Sequence, residues 1–305
     1  MEYLWLLIGF VLLIKGADFF VDGSSSVARL LRVPSVIIGL TIVAMGTSAP
    51  EAAVSISAGL AGNNDIALSN VIGSNIFNLL VVVGVCSCMR PFVVNKEIIN
   101  RDLPISIVGA GLLIAMLVNH ILGRMEGIIL LLLMVGYIAL TVRSALKNRT
   151  EGEEVKTLSP ILSVIYIIGG LAAIIWGGQL VVDNASLIAV SWGMSQTLVG
   201  LTIVAIGTSL PELVTSIVSA KKGDSGLALG HVVGSNIFNI FFILGMSSAL
   251  TPINSAPEAM FDLVVLIAIS VATFLVCKWR GKMERFPGAL MLLAYFAYTA
   301  YIIIR

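Results

Sequence analysis

The chain has 305 residues, 58% of them hydrophobic and only 11% charged, with a mean hydropathy of +1.04 and a formal net charge of +1. That much apolar surface cannot be hidden in one water-soluble core, so a soluble globular fold is excluded and lipid is the expected solvent. The near-zero charge gives no ground for a nucleic-acid partner, and none is expected.

A bilayer-spanning helix needs about 20 mainly apolar residues, and ten such windows follow in chain order. The first, near 3–23, has Glu2 and no Lys or Arg before Leu4. It lacks the basic start of a signal peptide and reads as a retained helix. The others run near 34–60, 66–88, 103–121, 125–146, 160–182, 197–219, 226–250, 261–279 and 286–304. The expected fold class is therefore all-α, a polytopic membrane protein with ten transmembrane helices in two inverted five-helix repeats. Residues 1–146 form the first half and 159–305 the second, joined by a short charged linker over 147–158. Fifteen of the eighteen Lys and Arg residues fall on the side opposite the termini, against Arg124 and Arg305 on the terminal side and Lys15 inside the first window. The positive-inside rule makes the linker cytoplasmic and both termini extracytoplasmic.

The halves share sequence. GLTIVAMGTSAPE (Gly39 to Glu51) returns 161 residues later as GLTIVAIGTSLPE (Gly200 to Glu212), with eleven of sixteen positions identical between 36–51 and 197–212. VIGSNIFN at 71–78 returns as VVGSNIFN at 232–239. Because five is odd, the second half enters the membrane from the opposite face. Inverted repeats whose broken helices meet at the midplane are a recurring plan of secondary transporters.

Pro50 and Pro211 lack an N–H and oppose the carbonyls of Gly46 and Gly207, so both helices are expected to break there. Carbonyls freed inside a membrane are tolerated only where they line a cavity or bind something. Thr47, Ser48 and Glu51, with Thr208, Ser209 and Glu212, stand within a turn of them. All are oxygen ligands, the chemistry hard cations take, and no His or Cys cluster competes for a softer metal. A carboxylate at mid-bilayer costs about 2.5–3.5 kcal/mol, and no Lys or Arg lies inside those windows to pair with either glutamate. Two carboxylates supply a charge that one divalent or two monovalent cations neutralise. GSNIFN adds Ser74 and Asn78, then Ser235 and Asn239, each pair four apart on one helix face, while Gly73 and Gly234 allow a neighbouring helix close.

These paired motifs resemble those of the cation/calcium exchanger superfamily, most closely its small prokaryotic sodium/calcium exchangers, and the resemblance covers the whole chain. It implies that Glu51, Thr47, Ser48, the Ala44 carbonyl, Ser74 and Asn78, with Glu212, Thr208, Ser209, the Ala205 carbonyl, Ser235 and Asn239, ligate calcium and sodium. The protein is then a multi-pass plasma-membrane antiporter and not an enzyme, with Ca²⁺ and Na⁺ as substrates, the bilayer as environment, no resident cofactor and a monomer sufficient for transport. Many members carry Asp at one of the positions held here by Asn78 and Asn239, so this site has fewer titratable groups. Proton-coupled relatives place a glutamate in a GNxxE pattern that neither GSNIFN copy has, which favours sodium as the driving ion. Proton- or potassium-coupled antiport is the alternative. A cation channel would need a ring-lined pore, and an intramembrane hydrolase a nucleophile paired with a base. No GxxxxGK[ST] phosphate loop occurs.

The remaining polar residues are read as structural. Cys86, Cys88 and Cys277 are expected as small buried residues. Asp18 and Asp22, with Asp183 at the repeat offset from Asp22, are assigned to helix ends, Asp102 and Asp262 to helix N-terminal dipoles, and His120 to a helix end. His231 neighbours the second GSNIFN, but its counterpart is Asn70, and it is read as a non-ligand.

Overall fold

The computed structural model describes residues 1–62, 64–147, 157–194, 205–255 and 257–304. Helix α1 (Glu2–Leu30) is followed by a bent pair, α2 (Ser35–Thr47) and α3 (Ala49–Leu60), and then by α4 (Ile66–Met89), α5 (Ile98–Met116) and α6 (Arg124–Lys147). After the linker come α7 (Pro160–Ser191), a single turn at Ala205–Gly207, α8 (Leu210–Lys222), α9 (Gly226–Leu250), α10 (Glu258–Arg280) and α11 (Arg285–Ile304). Among the described residues eight helices are long and apolar enough to cross a membrane, and the α2–α3 pair makes a ninth. The first part of the expected seventh window and most of the linker lie outside the described residues.

Burial separates centre from rim. The apolar windows of α4 and α9 are 78% and 94% buried, whereas that of α11 is 11% buried, leaving Phe286, Leu293 and Phe296 on its outer face. A helix satisfies its own backbone, so such side chains can face lipid. The two GSNIFN segments thus lie at the centre. Helices α1 and α7 pack antiparallel along their lengths through Gly9, Gly16 and Gly23 against Gly177, Gly170 and Ser163. A Cβ at Gly16 would stand 2.8 Å from the Gly170 carbonyl, so backbone meets backbone there and any larger residue would part the helices.

Two short antiparallel strand pairs interrupt the otherwise helical fold. β1 (Phe92–Val93) pairs with β4 (Lys282–Met283), and β2 (Ile121–Leu122) with β3 (Ile253–Asn254). Moving Phe92↔Met283 by the 161-residue offset gives Ile253↔Leu122, so the two pairs exchange, and each joins one half to the other. His120, expected only at a helix end, sits in left-handed backbone at φ 59°, where its counterpart Gly281 has φ 64°. A residue with a Cβ seldom holds that conformation, and strand pairing fixes it here: the His120 carbonyl accepts from Ser255 N at 2.8 Å, as the Gly281 carbonyl accepts from Val94 N at 3.0 Å.

Asp102 corrects its dipole assignment. Its helix begins four residues earlier, at Ile98, and the carboxylate is wholly buried, held by Arg101 Nε at 2.8 Å and Nη2 at 3.1 Å and by the Tyr137 hydroxyl at 3.3 Å. A short-range ion pair therefore holds it. All three cysteines are free; Cys86 and Cys277 are buried and Cys88 is half-buried.

Candidate cation site

The expected breaks occur. Between α2 and α3 the chain bends by 48° at Ser48, and Pro50 falls in the first turn of α3, where its missing N–H costs nothing. The other half breaks at Thr208 and Ser209, with Pro211 in the first turn of α8. Glu51 and Glu212 each lie in the first turn of the helix that follows, near the positive end of its dipole.

Each serine then reaches across to the other half. Ser48 Oγ donates to Glu212 Oε1 at 2.9 Å, and its counterpart Ser209 Oγ lies 3.2 Å from both Glu51 Oε1 and Ser74 Oγ. Glu51 and Glu212 are 0% and 1% exposed, and among the described residues neither has a cationic partner.

Asn78 and Asn239 are oriented by residues the sequence reading passed over. Asn78 Nδ2 donates to Asn236 Oδ1 at 3.1 Å, and Asn239 Nδ2 to Asn75 Oδ1 at 2.9 Å. Asn75 and Asn236 in turn donate to each other's carbonyls at 3.2 and 3.3 Å. With their N–H₂ groups engaged, Asn78 and Asn239 present their amide oxygens. Each asparagine also opens a π-helical stretch, Asn78–Val82 and Asn239–Leu244, whose extra residue per turn re-aims side chains and often marks a functional site.

Six buried side-chain oxygens of the expected ligand set have no hydrogen-bond partner among the described residues: Glu51 Oε2, Glu212 Oε2, Asn78 Oδ1, Asn239 Oδ1, Ser235 Oγ and Thr208 Oγ1. Partnerless buried acceptors are costly, and these are oxygens of the kind that a hard cation takes; Ser24, Ser186, Thr215, Ser219 and Ser247 have partnerless oxygens as well. Other expected ligands stand differently. The Ala44 carbonyl accepts from Ser48 N at 3.1 Å, so it is occupied within the helix. Ala205 opens the short turn before the break. Thr47 Oγ1 donates to the Val43 carbonyl at 3.0 Å and meets His231 Nε2 at 2.6 Å. Gly234 gives the expected close approach, a Cβ there standing 2.7 Å from the Leu40 backbone, whereas nothing described lies within 4 Å of one at Gly73.

Access is unequal between the halves. A cavity of about 760 Å³ opens beside the break, between Gln179, Val182, Asp183 and Ser186 of α7 and Pro50, Thr208 and Pro211. At the same offset in the first half Val21 and Ser25 are buried, Ser25 Oγ donates to Asp224 Oδ2 at 3.0 Å, and Lys222 Nζ bridges the more exposed Asp22 at 2.7 Å and Asp18 at 3.5 Å. Asp18 and Asp22 thus belong to an ion-paired junction between α1 and α8. Ala61 stands at the position equivalent to Lys222, and Asp183 accepts from Gln179 at 2.8 Å.

Known proteins share this architecture. A sequence model of the sodium/calcium exchanger protein family matches residues 1–143 and 162–304. The chain belongs to the sodium/calcium exchanger family. Both the starts and the ends of those two stretches, 1 against 162 and 143 against 304, lie 161 residues apart, the spacing of the motifs. A putative antiporter, CaxA of Alkalimonas amylolytica, is 39% identical over 97% of this chain and 96% of its own length. The sodium/calcium exchanger MaX1 of Methanosarcina acetivorans is 32% identical over 97% of each. The solved structure of the sodium-calcium exchanger NCX_Mj superposes with a TM-score of 0.88 at 31% identity, covering 99% of this chain and 98% of the other. Membership of the exchanger family and its membrane-spanning helical fold are thereby shown.

Proposed function

We propose that this exchanger carries sodium and calcium in opposite directions across the cell membrane by alternating access, at one site built between Glu51 and Glu212. The observation that carries the reading is the set of six partnerless buried oxygens drawn from the two breaks and the two GSNIFN segments. Two carboxylates balance one Ca²⁺ or two Na⁺, so occupation by either neutralises the site. The empty, doubly charged site would cross the apolar interior at a cost of a few kcal/mol per carboxylate, and that penalty couples the two fluxes. The serines extend the ligand set, and Asn75 and Asn236 hold it in shape.

Ten helices in two inverted halves, 1–146 and 159–305 about a cytoplasmic linker, supply the alternation. The same residues, displaced by 161 positions, line an open cavity beside α7 and a closed junction beside α1. Exchange of those two arrangements would move access from one face to the other. Helices α1 and α7, interlocked backbone to backbone, would slide as one body past the core. With both termini outside, the open cavity faces the exterior and the Lys222 junction the cytoplasm. One chain contains both halves of the site, so a monomer suffices.

Reconstituted vesicles loaded with sodium and read by calcium uptake test this. Glu51→Gln and Glu212→Gln each remove one of two full charges and should abolish exchange while insertion and thermal stability persist. Near-parental exchange by either inserted variant would displace that glutamate from the site. Imposed potassium and proton gradients in the same vesicles distinguish sodium coupling from the alternatives.

A further inference from the structure

Several contacts near the breaks map onto each other under the 161-residue offset, but the contacts of Asn70 and His231 do not. In the first half Asn70 Nδ2 donates to Ser55 Oγ at 2.9 Å and to the Glu51 carbonyl at 3.3 Å. Its counterpart, His231, is wholly buried and faces Ser216, the equivalent of Ser55, with Nδ1 at 2.9 Å. The imidazole extends further than the amide, and Nε2 reaches Thr47 Oγ1 in the other half at 2.6 Å.

The tautomer that leaves no group of the Thr47–His231–Ser216 chain without a partner carries its hydrogen on Nε2. Thr47 has one hydroxyl hydrogen, directed at the Val43 carbonyl 3.0 Å away, so its oxygen accepts from Nε2–H. Ser216 donates to Nδ1, which has no hydrogen in that tautomer. The Thr47 hydrogen and one of the oxygen's two lone pairs are therefore taken, and one lone pair is left. Its counterpart Thr208 has a buried Oγ1 with no partner among the described residues. Two threonines that are identical in sequence context differ in what they offer an ion.

We propose that His231 is a positioning residue that sets ion preference by weakening the Thr47 hydroxyl as a ligand, leaving Thr208 as the stronger one. The proposal rests on the exchange site assigned above. An N–H pointed into one lone pair of Thr47 Oγ1 places positive charge where a cation would bind. Calcium, which gathers about 6–8 oxygens, loses more from a weakened ligand than a monovalent ion with a smaller field.

Two substitutions separate the ring's two contacts. Asn at 231 reaches only as far as Nδ1, keeping Ser216 as Asn70 keeps Ser55 and releasing Thr47. Gln carries an amide nitrogen to about the place of Nε2 and retains Thr47. In sodium-loaded vesicles, His231→Asn should lower the calcium KM about 2- to 10-fold, the range of one neutral hydrogen bond, with Vmax per inserted molecule little changed. His231→Gln should restore the parental KM. An unchanged or raised KM in His231→Asn, or equal shifts in both variants, overturns the proposal. Should His231→Asn fail to insert, Thr47→Val and Thr208→Val decide: the proposal requires the larger loss of calcium affinity from Thr208→Val, and equal losses overturn it. Glu212→Gln in the same preparation keeps the two failures apart, since exchange surviving it removes the site assignment itself, whereas its loss with an indifferent residue 231 removes only the role of His231.

Discussion

Lys222→Ala installs at the α8 end the residue that the first half has at Ala61, and it tests what keeps one face closed. Lys222 Nζ lies 2.7 Å from Asp22 and 3.5 Å from Asp18, and donates to the Asp18 carbonyl at 3.0 Å. The three side chains are 31%, 50% and 36% exposed, so solvent screens them and the junction contributes about 1 kcal/mol in all. That energy corresponds to about a five-fold shift between the two arrangements. The measurement uses a background lacking the native cysteines, with one cysteine placed either at Val21, buried beside the closed junction, or at Gln179, exposed in the open cavity. Impermeant thiol reagents are applied to each face of oriented vesicles. Removing Lys222 should raise labelling at position 21 up to about five-fold from the face bearing the junction, because labelling there reports the minor arrangement. Position 179, reporting the major one, should change little. High salt should shrink the difference between parent and variant. Equal labelling at position 21 in inserted parent and variant at low salt would refute the junction as a latch.

Asn236→Ala removes the partner of Asn78 and one arm of the reciprocal clamp with Asn75, two buried side-chain hydrogen bonds in all. It should destabilise the detergent-solubilised protein by about 2–4 kcal/mol and lower its melting temperature, and an unchanged melt would deny the clamp its role. Gly170→Val places a side chain where a Cβ already meets the Phe20 backbone at 2.6 Å. The variant should part α1 from α7 and melt below the parent in detergent, and an unchanged melt would deny that backbone contact its role.

Much of the frame is legible in the sequence because lipid makes it so: apolar length fixes the spans, proline fixes the breaks, and a 161-residue repetition fixes which residues correspond. The glutamates stand out because each is a carboxylate in an apolar run with no Lys or Arg inside the window to pair with it. Asn75 and Asn236 were passed over for a physical reason: within GSNIFN nothing says which asparagine faces the ions and which faces its twin. That choice depends on the π-helical turns at Asn78 and Asn239, and insertion of one residue into a turn leaves no periodic mark. The strand pairs are two residues long, too short for an alternating pattern. For His231 the signal was present, as a break in an otherwise faithful repeat, but the partner it selects lies in the other half.

On the proposed inverted arrangement these departures from symmetry acquire a common meaning. Were the halves identical, the outward-open and inward-open arrangements would be mirror exchanges of the same contacts and would have equal free energy. Every interaction that maps onto itself, such as Ser48–Glu212 onto Ser209–Glu51 or Asn78–Asn236 onto Asn239–Asn75, then cancels from the difference between them. Only positions where the repeat fails can bias access or distinguish the two sides of the site. Lys222 opposite Ala61 is one such position, far from the ions and able to set which face rests open. His231 opposite Asn70 is another, one hydrogen bond from a candidate ligand and able to set how an ion is held. Exchange needs the two arrangements within a few kcal/mol of each other so that ion binding can shift the balance. A symmetric core with a small number of asymmetric contacts at and around it meets that requirement, since each contact contributes about 1 kcal/mol and the large terms have already cancelled.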